Sequence, residues 1–277
     1  MSARLEKSAI RGVHAARHAP RGPLASFVSE IVTAVRGPDA PPCHGGPDGH
    51  AVLVFQALRE GDDDVGAGGL YAVGTQTSAW QKPAATAEVS VCAHFRPGAA
   101  YPFFGLPLRE LMDEVVPLEE LWGREGRTLS EQLIERRDIG GRVGLLEKKL
   151  YTRLERAGRV DFAPLQLVSH VTRLLARSPA PQTVRSIAKH VGTSERQLRR
   201  VFDAAVGMSP KAFARLVRFH RAMRIAEHSA EPDWAAIAAE AGYYDQSHLI
   251  AECRRLTGST PAAYLPIWAS AQGPRLA

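Results

Sequence analysis

Apolar positions change period part-way along the chain. Residues 51–55 form a short apolar run between the turn-rich residues 41–49 and the acidic turn Gly61–Asp64, which predicts a strand. Leu70–Gln76 and Glu88–Phe95 predict two more, the second stopped by Arg96, Pro97 and Gly98. Helices are predicted over Leu24–Val35, where Leu24, Phe27, Val28, Ile31 and Val35 share one face, and over Pro107–Val115, Leu118–Trp122, Thr128–Arg137 and Val143–Arg156. This mixture predicts an α+β N-terminal domain, a small barrel-like sheet plus helices. From Pro164 onward almost every segment has helical period and no strand is convincing, which predicts an all-α C-terminal domain. The shift places a boundary near residues 157–163, dividing the chain into 1–160 and 161–277. Ser178–Gln182 reads as a local break between helices.

The helical half contains a duplication. Ile187–Gly192 matches Ile237–Gly242 at an offset of 50, and Gly207–Pro210 matches Gly258–Pro261 at an offset of 51. Between these anchors Leu198 corresponds to Leu249, and Phe202 to Cys253. In the first copy a short helix, Val184–His190, carries Ile187 and the small Ala188 inward. Gly192 then turns the chain with the positive φ that glycine accepts. Ser194 is an N-cap, with Gln197 at the capping-box position. The helix that follows buries Leu198, Val201 and Phe202 and presents Arg196, Gln197, Arg199 and Arg200. In the second copy Ala235–Glu240, a turn at Gly242 and the cap Asp245 lead into a helix through Leu256, which presents Gln246, Ser247 and His248. Each copy is a helix-turn-helix, with spans near 183–207 and 233–258 and a linker helix near 210–228. A helix of this kind enters the major groove, where Arg pairs with guanine and Gln with adenine. Ser194, Arg196, Gln197, Arg199, Arg200, Gln246, Ser247 and His248 are therefore the candidate DNA-binding residues. Arg215, Arg218, Arg221 and Arg224 are expected to solvate the linker or touch phosphates.

Charge sharpens this reading. The 277 residues carry a formal net charge of +6. Residues 1–160 hold 20 basic and 20 acidic side chains, so the excess lies in 161–277, with 15 and 9. Residues 182–224 alone hold ten basic and two acidic side chains, whereas 225–277 hold three and six. A basic block in a balanced chain points to nucleic acid. Hydrophobic residues make up 45% of the chain, enough for a core, and no apolar run approaches the roughly 20 residues of a membrane span. The polar, basic residues 1–20 predict no secretory leader, and three scattered cysteines (Cys43, Cys92, Cys253) predict no disulfide framework, so a cytoplasmic protein is expected.

Residues 164–266 resemble the AraC/XylS family of bacterial transcription regulators. The matching positions are Ile187, Ala188, Gly192, Ser194, Leu198, Arg200, Phe202, Gly207, Ser209 and Pro210, then Ile237, Ala238, Gly242, Tyr243, Asp245 to Leu249, Leu256 to Gly258, Thr260, Pro261 and Tyr264. The resemblance implies two modules reading successive major-groove faces, with Arg196, Arg199 and Arg200 facing DNA from the first and Gln246, Ser247 and His248 from the second. Ala251 stands where a basic residue is common, Cys253 where an aromatic is usual, and Glu252 adds negative charge where phosphates would pass. The first module is therefore expected to supply most base readout. The first half is similar to an uncharacterised N-terminal domain on one branch of these regulators, through residues 47–49, Phe95–Gly98, Leu106–Leu111 and Val116–Trp122. This implies a sensor or dimerisation domain over 1–160. Expected partners are a double-stranded operator, a small-molecule effector, RNA polymerase and a second copy of the chain. No cofactor, membrane contact or catalysis is expected.

Rival chemistries rest on few residues. Pro42, Cys43 and His44 superficially resemble the nucleophile segment of DNA alkyltransferases, although the Gly45–Gly46 turn that follows does not suggest an activated thiol. Cys92 and His94 on one strand face, joined by Cys43, His44 and His50, would suit a metal-sensing regulator, but without established ligand spacing. Trp80, Phe95, Tyr101, Phe103 and Phe104 line an apolar effector pocket in one reading and form the sheet's core in the other. Val143–Arg156 is equally a dimer face or a core helix.

Overall fold

The computed structural model describes residues 12–59, 65–82, 88–158, 161–178 and 182–270. The predicted turn at Gly61–Asp64 lies outside them, as do residues 1–11, 159–160 and 179–181 of the expected start, boundary and break.

The described residues of the first half form eight strands: β1 (Val13–His18), β2 (Val28–Arg36), β3 (Cys43–Gly45), β4 (Val52–Arg59), β5 (Val65–Val73), β6 (Trp80–Lys82), β7 (Glu88–Phe95) and β8 (Val115–Pro117). Six form an antiparallel sheet in the order β1-β2-β7-β4-β5-β8, and β3 pairs with β6 in a separate ribbon. Alternation along the strands sends Leu53, Phe55 and Ala57 of β4 and Val89, Val91, Ala93 and Phe95 of β7 into one core. Four helices cover it: α1 (Tyr101–Phe104), α2 (Leu118–Trp122), α3 (Arg124–Glu135) and α4 (Ile139–Arg156). Val143, Leu146 and Leu150 of α4 are buried there, so its apolar stripe is core and not a dimer face. Phe103 packs on Phe27 and Phe95, with ring centroids 5.6 and 4.9 Å away.

Two predicted helices are replaced by other structure. Leu24–Val35 is a 3-10 turn, Gly22–Ser26, followed by strand β2. Its β-branched residues Val28, Ile31, Val32, Thr33 and Val35 suit a strand, and β1 and β7 flank it on both sides. Pro107–Val115 is a 3-10 turn, Leu108–Leu111, and then edge strand β8. Asp113 holds a positive φ of 60°, and its carboxylate accepts from the Thr77 N–H (2.7 Å) and hydroxyl (2.6 Å), which stops helix propagation.

The second half is helical throughout its described residues: α5 (Phe162–Arg177), α6 (Val184–His190), α7 (Glu195–Val206), α8 (Pro210–Glu227), α9 (Trp234–Ala241), α10 (Gln246–Thr257) and α11 (Pro261–Ser270). One core unites α5, α6, α7, α8, α10 and α11 around Phe202, Phe213 and Phe219. A smaller one lies between α8, α9 and α10 around Ala222, Ile237 and Leu249.

The halves meet along a continuous seam. His220 of α8 is buried and its Nε2–H donates to the Pro47 carbonyl at 2.8 Å. The Ala79 N–H donates to the Leu256 carbonyl at the end of α10 (2.8 Å), and Arg109 lies 3.5 Å from Asp203 on α7. Gly207, which ends α7 with φ +83°, backs onto the Leu108 carbonyl and the Thr75 hydroxyl. Tyr264 of α11 covers Gly46.

Buried titratable groups in the N-terminal half make stability pH-dependent. Burial pulls the His50 imidazole down to about 4 and His94 down to about 3. Unfolded, each titrates near 6.5, so between that pH and about 4 the unfolded chain binds more protons and acid destabilises the fold. Asp48 acts in the opposite sense. Although the residue is only half-buried as a whole, its carboxyl is enclosed, and burial raises it to about 7 against N–H bonds from His50 and Gln76. Two imidazoles outweigh one carboxyl, so the melting temperature is expected to fall from pH 6.5 to 4. A melting temperature that holds steady or rises over that range, measured by calorimetry, contradicts the burial of the two imidazoles.

Candidate nucleic-acid interface

The first module is assembled by caps. The Thr183 hydroxyl accepts from the Ser186 N–H (3.0 Å) and starts α6. α6 buries Ile187 and Ala188, and the chain reverses at Gly192, whose φ of +69° leaves the Thr193 N–H on the Ala188 carbonyl at 2.9 Å. The Ser194 hydroxyl then accepts from the Gln197 N–H at 3.1 Å and launches α7. Leu198, Val201 and Phe202 are buried, as predicted from their spacing. Arg196, Arg199 and Arg200 are exposed and Gln197 is half-exposed. Arg199 is steadied by Glu195 one turn earlier (3.1 Å), whereas Arg196 and Arg200 have no acidic partner among the described residues.

The second module repeats the plan. The Asp233 carboxylate accepts from the N–H groups of Ala235 (2.9 Å) and Ala236 (3.2 Å). Gly242 turns with φ +85°, and the Tyr243 N–H returns to the Ala238 carbonyl at 2.8 Å. Asp245 caps α10 by accepting from the His248 N–H at 2.7 Å. Leu249, Cys253 and Leu256 face inward, while Gln246, Ser247 and His248 are exposed on the first turn. His248 is the most constrained of the three. Its ring stands edge-on to Tyr243 at 5.2 Å, and its Nδ1 accepts from the Tyr244 N–H at 3.4 Å.

Three features depart from the sequence expectations. Glu252 does not confront phosphates. It is buried, and its carboxylate takes both arms of Arg215 from α8 at 2.7 and 2.8 Å. Two linker arginines are not simply solvated: Arg218 lies over the Tyr243 ring at 4.6 Å, and Arg221 donates to the Ser178 carbonyl at 3.2 Å. Tyr244, absent from the candidate residues, is 92% exposed beside Gln246, where a large aromatic contributes nothing to the core. Its signal in the sequence was the Tyr243–Tyr244 pair, since only one of two adjacent residues can fill the turn's interior.

The rival sites come apart. Phe95, Phe103 and Phe104 are core, whereas Trp80 and Tyr101 are 42% and 52% exposed, so the five aromatics line no common pocket. Cys92 and His94 do share a face of β7, opposite the core, but no three His, Cys, Asp or Glu side chains converge as a metal site among the described residues. Cys43 lies on the β3–β6 ribbon opposite Lys82. No described helix is long and apolar enough to cross a membrane.

Two capped helix-turn-helix units on one linker helix, each exposing polar groups at the start of its second helix, define the DNA-binding half of a transcription regulator. Residues 187–266 match the family described as "Helix-turn-helix domain", of AraC type, and residues 16–117 match "Domain of unknown function (DUF6597)". No curated protein matches the chain. Among solved structures the chain is similar to a transcriptional regulator with an AraC-type DNA-binding domain from Chromobacterium violaceum, at 22% identity over 40% of this chain and 96% of that one, with a TM-score of 0.35. The DNA-binding domain of AdpA in complex with a target DNA is 25% identical over 38% of this chain and 91% of its own, with a TM-score of 0.33. Unsaturated fatty acid-bound ToxT from Vibrio cholerae is 10% identical over 85% of this chain and 95% of its own, with a TM-score of 0.44.

Proposed function

We propose that the chain is a cytoplasmic, sequence-specific and effector-responsive regulator that reads two successive major-groove faces of its operator with α7 and α10. Arg196, Gln197, Arg199 and Arg200 contact base edges from α7, with Ser194 at the backbone. Gln246, Ser247 and His248 contact DNA from α10. The observation that carries this reading is the pair of capped helices, each with its polar first turn open to solvent. Base readout rests mainly on α7, because it offers two arginines without an acidic partner among the described residues, while His248 is tied to the Tyr243–Tyr244 turn.

Residues 1–160 act as the sensor and dimerisation domain and 161–277 as the DNA-binding domain. The seam supports control by an effector, since the N-terminal half touches the end of α7 through Gly207 and Asp203 and the end of α10 through Leu256. A ligand that reshapes Thr75–Arg109 would alter the support of both modules together.

Genome-wide footprinting identifies the operator, and two variants then test the division of labour. Arg200→Ala is expected to weaken operator binding by about 1–3 kcal/mol, and Gln246→Ala by less. A larger loss for Gln246→Ala refutes the assignment. A thermal-shift screen of the full chain with small molecules tests the sensor role.

A further inference from the structure

A cleft of about 430 Å³ opens along one side of α8, between the end of α5 and the start of α10. Lys211, Arg215, Arg218, Arg221 and His248 line it, and Glu252 is the one acid in its wall among the described residues. Glu252 is already held by both arms of Arg215, so the charges of Lys211, Arg218 and Arg221 face no carboxylate within the cleft. The Nε–H of Arg218 is buried without a hydrogen-bond acceptor among the described residues. The Tyr243 ring lies under that guanidinium but neutralises no charge; a buried donor without an acceptor is unfavourable, and a concavity walled by one sign of charge concentrates the opposite ion.

The cleft's position narrows the class of that ion. At about 3.6 residues per turn, His220 lies on the opposite side of α8 from Lys211 and Arg218. His220 is where the N-terminal half is seated, through Pro47. The cleft therefore opens away from that half, on the side where His248 starts the second recognition helix.

We propose that this cleft is a phosphodiester site, which holds the DNA backbone where it passes the linker helix between the two grooves. This rests on the DNA-reading role of α7 and α10 given above. Lys211, Arg218 and Arg221 are the contacting cations, and Arg215 holds the cleft wall through Glu252. The site contributes affinity and fixes the register of the two modules without reading sequence.

The test measures binding of the full chain to a mixed-sequence DNA duplex across a sodium chloride series. Each phosphate contact contributes about 0.9 to the slope of log affinity against log salt. Lys211→Gln is expected to lower the slope by about 1, and Lys211→Gln with Arg221→Gln by about 2. Lys148→Gln, at an exposed position of α4, is expected to leave it unchanged. Lys211 is itself exposed, so its single variant retains the fold even if the double variant does not. An unchanged slope for Lys211→Gln overturns the proposal. Inorganic tripolyphosphate distinguishes a small-polyanion site. If it raises the melting temperature of the wild type but not of the variant, while the duplex slope stays the same, the cleft takes a free anion and not the backbone. Failure of the wild type to bind duplex at any salt concentration refutes the DNA-binding reading itself, an outcome separate from an unchanged slope.

Discussion

Replacement of Glu252 by alanine is expected to destabilise the second module by about 2–4 kcal/mol, measured as a fall in melting temperature with loss of duplex binding. The carboxylate is 8% exposed and fixes Arg215 bidentately, so its removal leaves a guanidinium without its partner in the groove between α8 and α10. Arg215 retains 22% exposure, and the solvent that reaches it moderates the loss below that of a fully enclosed pair. The double variant Arg215→Met with Glu252→Met separates charge from packing. It is expected to recover most of the stability, because two matched apolar side chains leave no orphaned charge. If Glu252→Ala melts with the wild type, the pair does not hold α10 on the linker.

Gly207→Ala is expected to cost about 2–4 kcal/mol, well beyond the roughly 1–2 kcal/mol of placing alanine in a left-handed conformation. The added Cβ would stand 2.7 Å from the Leu108 carbonyl oxygen and 2.9 Å from the Thr75 hydroxyl, so either α7 or the Leu108–Leu111 turn must move. Gly192 supplies the comparison. It also has positive φ, +69°, but a Cβ there meets open space. The excess loss of Gly207→Ala over Gly192→Ala, read by chemical denaturation, measures how tightly the N-terminal half is seated against α7. Equal losses would show that the seam yields without resistance.

The helical half was readable because its signals are local. Ser194 and Asp245 cap the helices that follow them, Gly192 and Gly242 adopt the positive φ expected of such turns, and Leu198, Val201, Phe202 and Leu249 are buried where helical spacing placed them. Each depends on neighbours within one or two helical turns. The first half was less readable because a strand's partners are distant in sequence. Leu24 to Val35 satisfies a helical face on paper, yet Val28–Arg36 pairs with residues 88–95, some sixty positions away, and β-branched side chains favour that pairing. The aromatic candidates divided, three into the core and two at the surface, for the same reason. Which of Trp80, Phe95, Tyr101, Phe103 and Phe104 faces the core depends on how strands and helices stack, and periodicity within each segment does not carry that.

Charge had a similar limit. The basic block over 182–224 and the acidic balance of 225–277 are properties of composition, and they located the DNA-binding half before any fold was known. They could not assign roles within it. Glu252 reads as a repulsive surface charge until α8 brings Arg215 against it from 37 residues away. Arg218 reads as a solvated linker residue until Tyr243 slides beneath it. Local backbone chemistry, capping and period alone defined two helix-turn-helix units and the side chains they expose. Tertiary packing decided which charges are neutralised, which remain in the cleft beside α8, and where the N-terminal half bears on both units. Pairing, burial and desolvation depend on contacts between segments distant in sequence, so they become determinate only when the chain is folded.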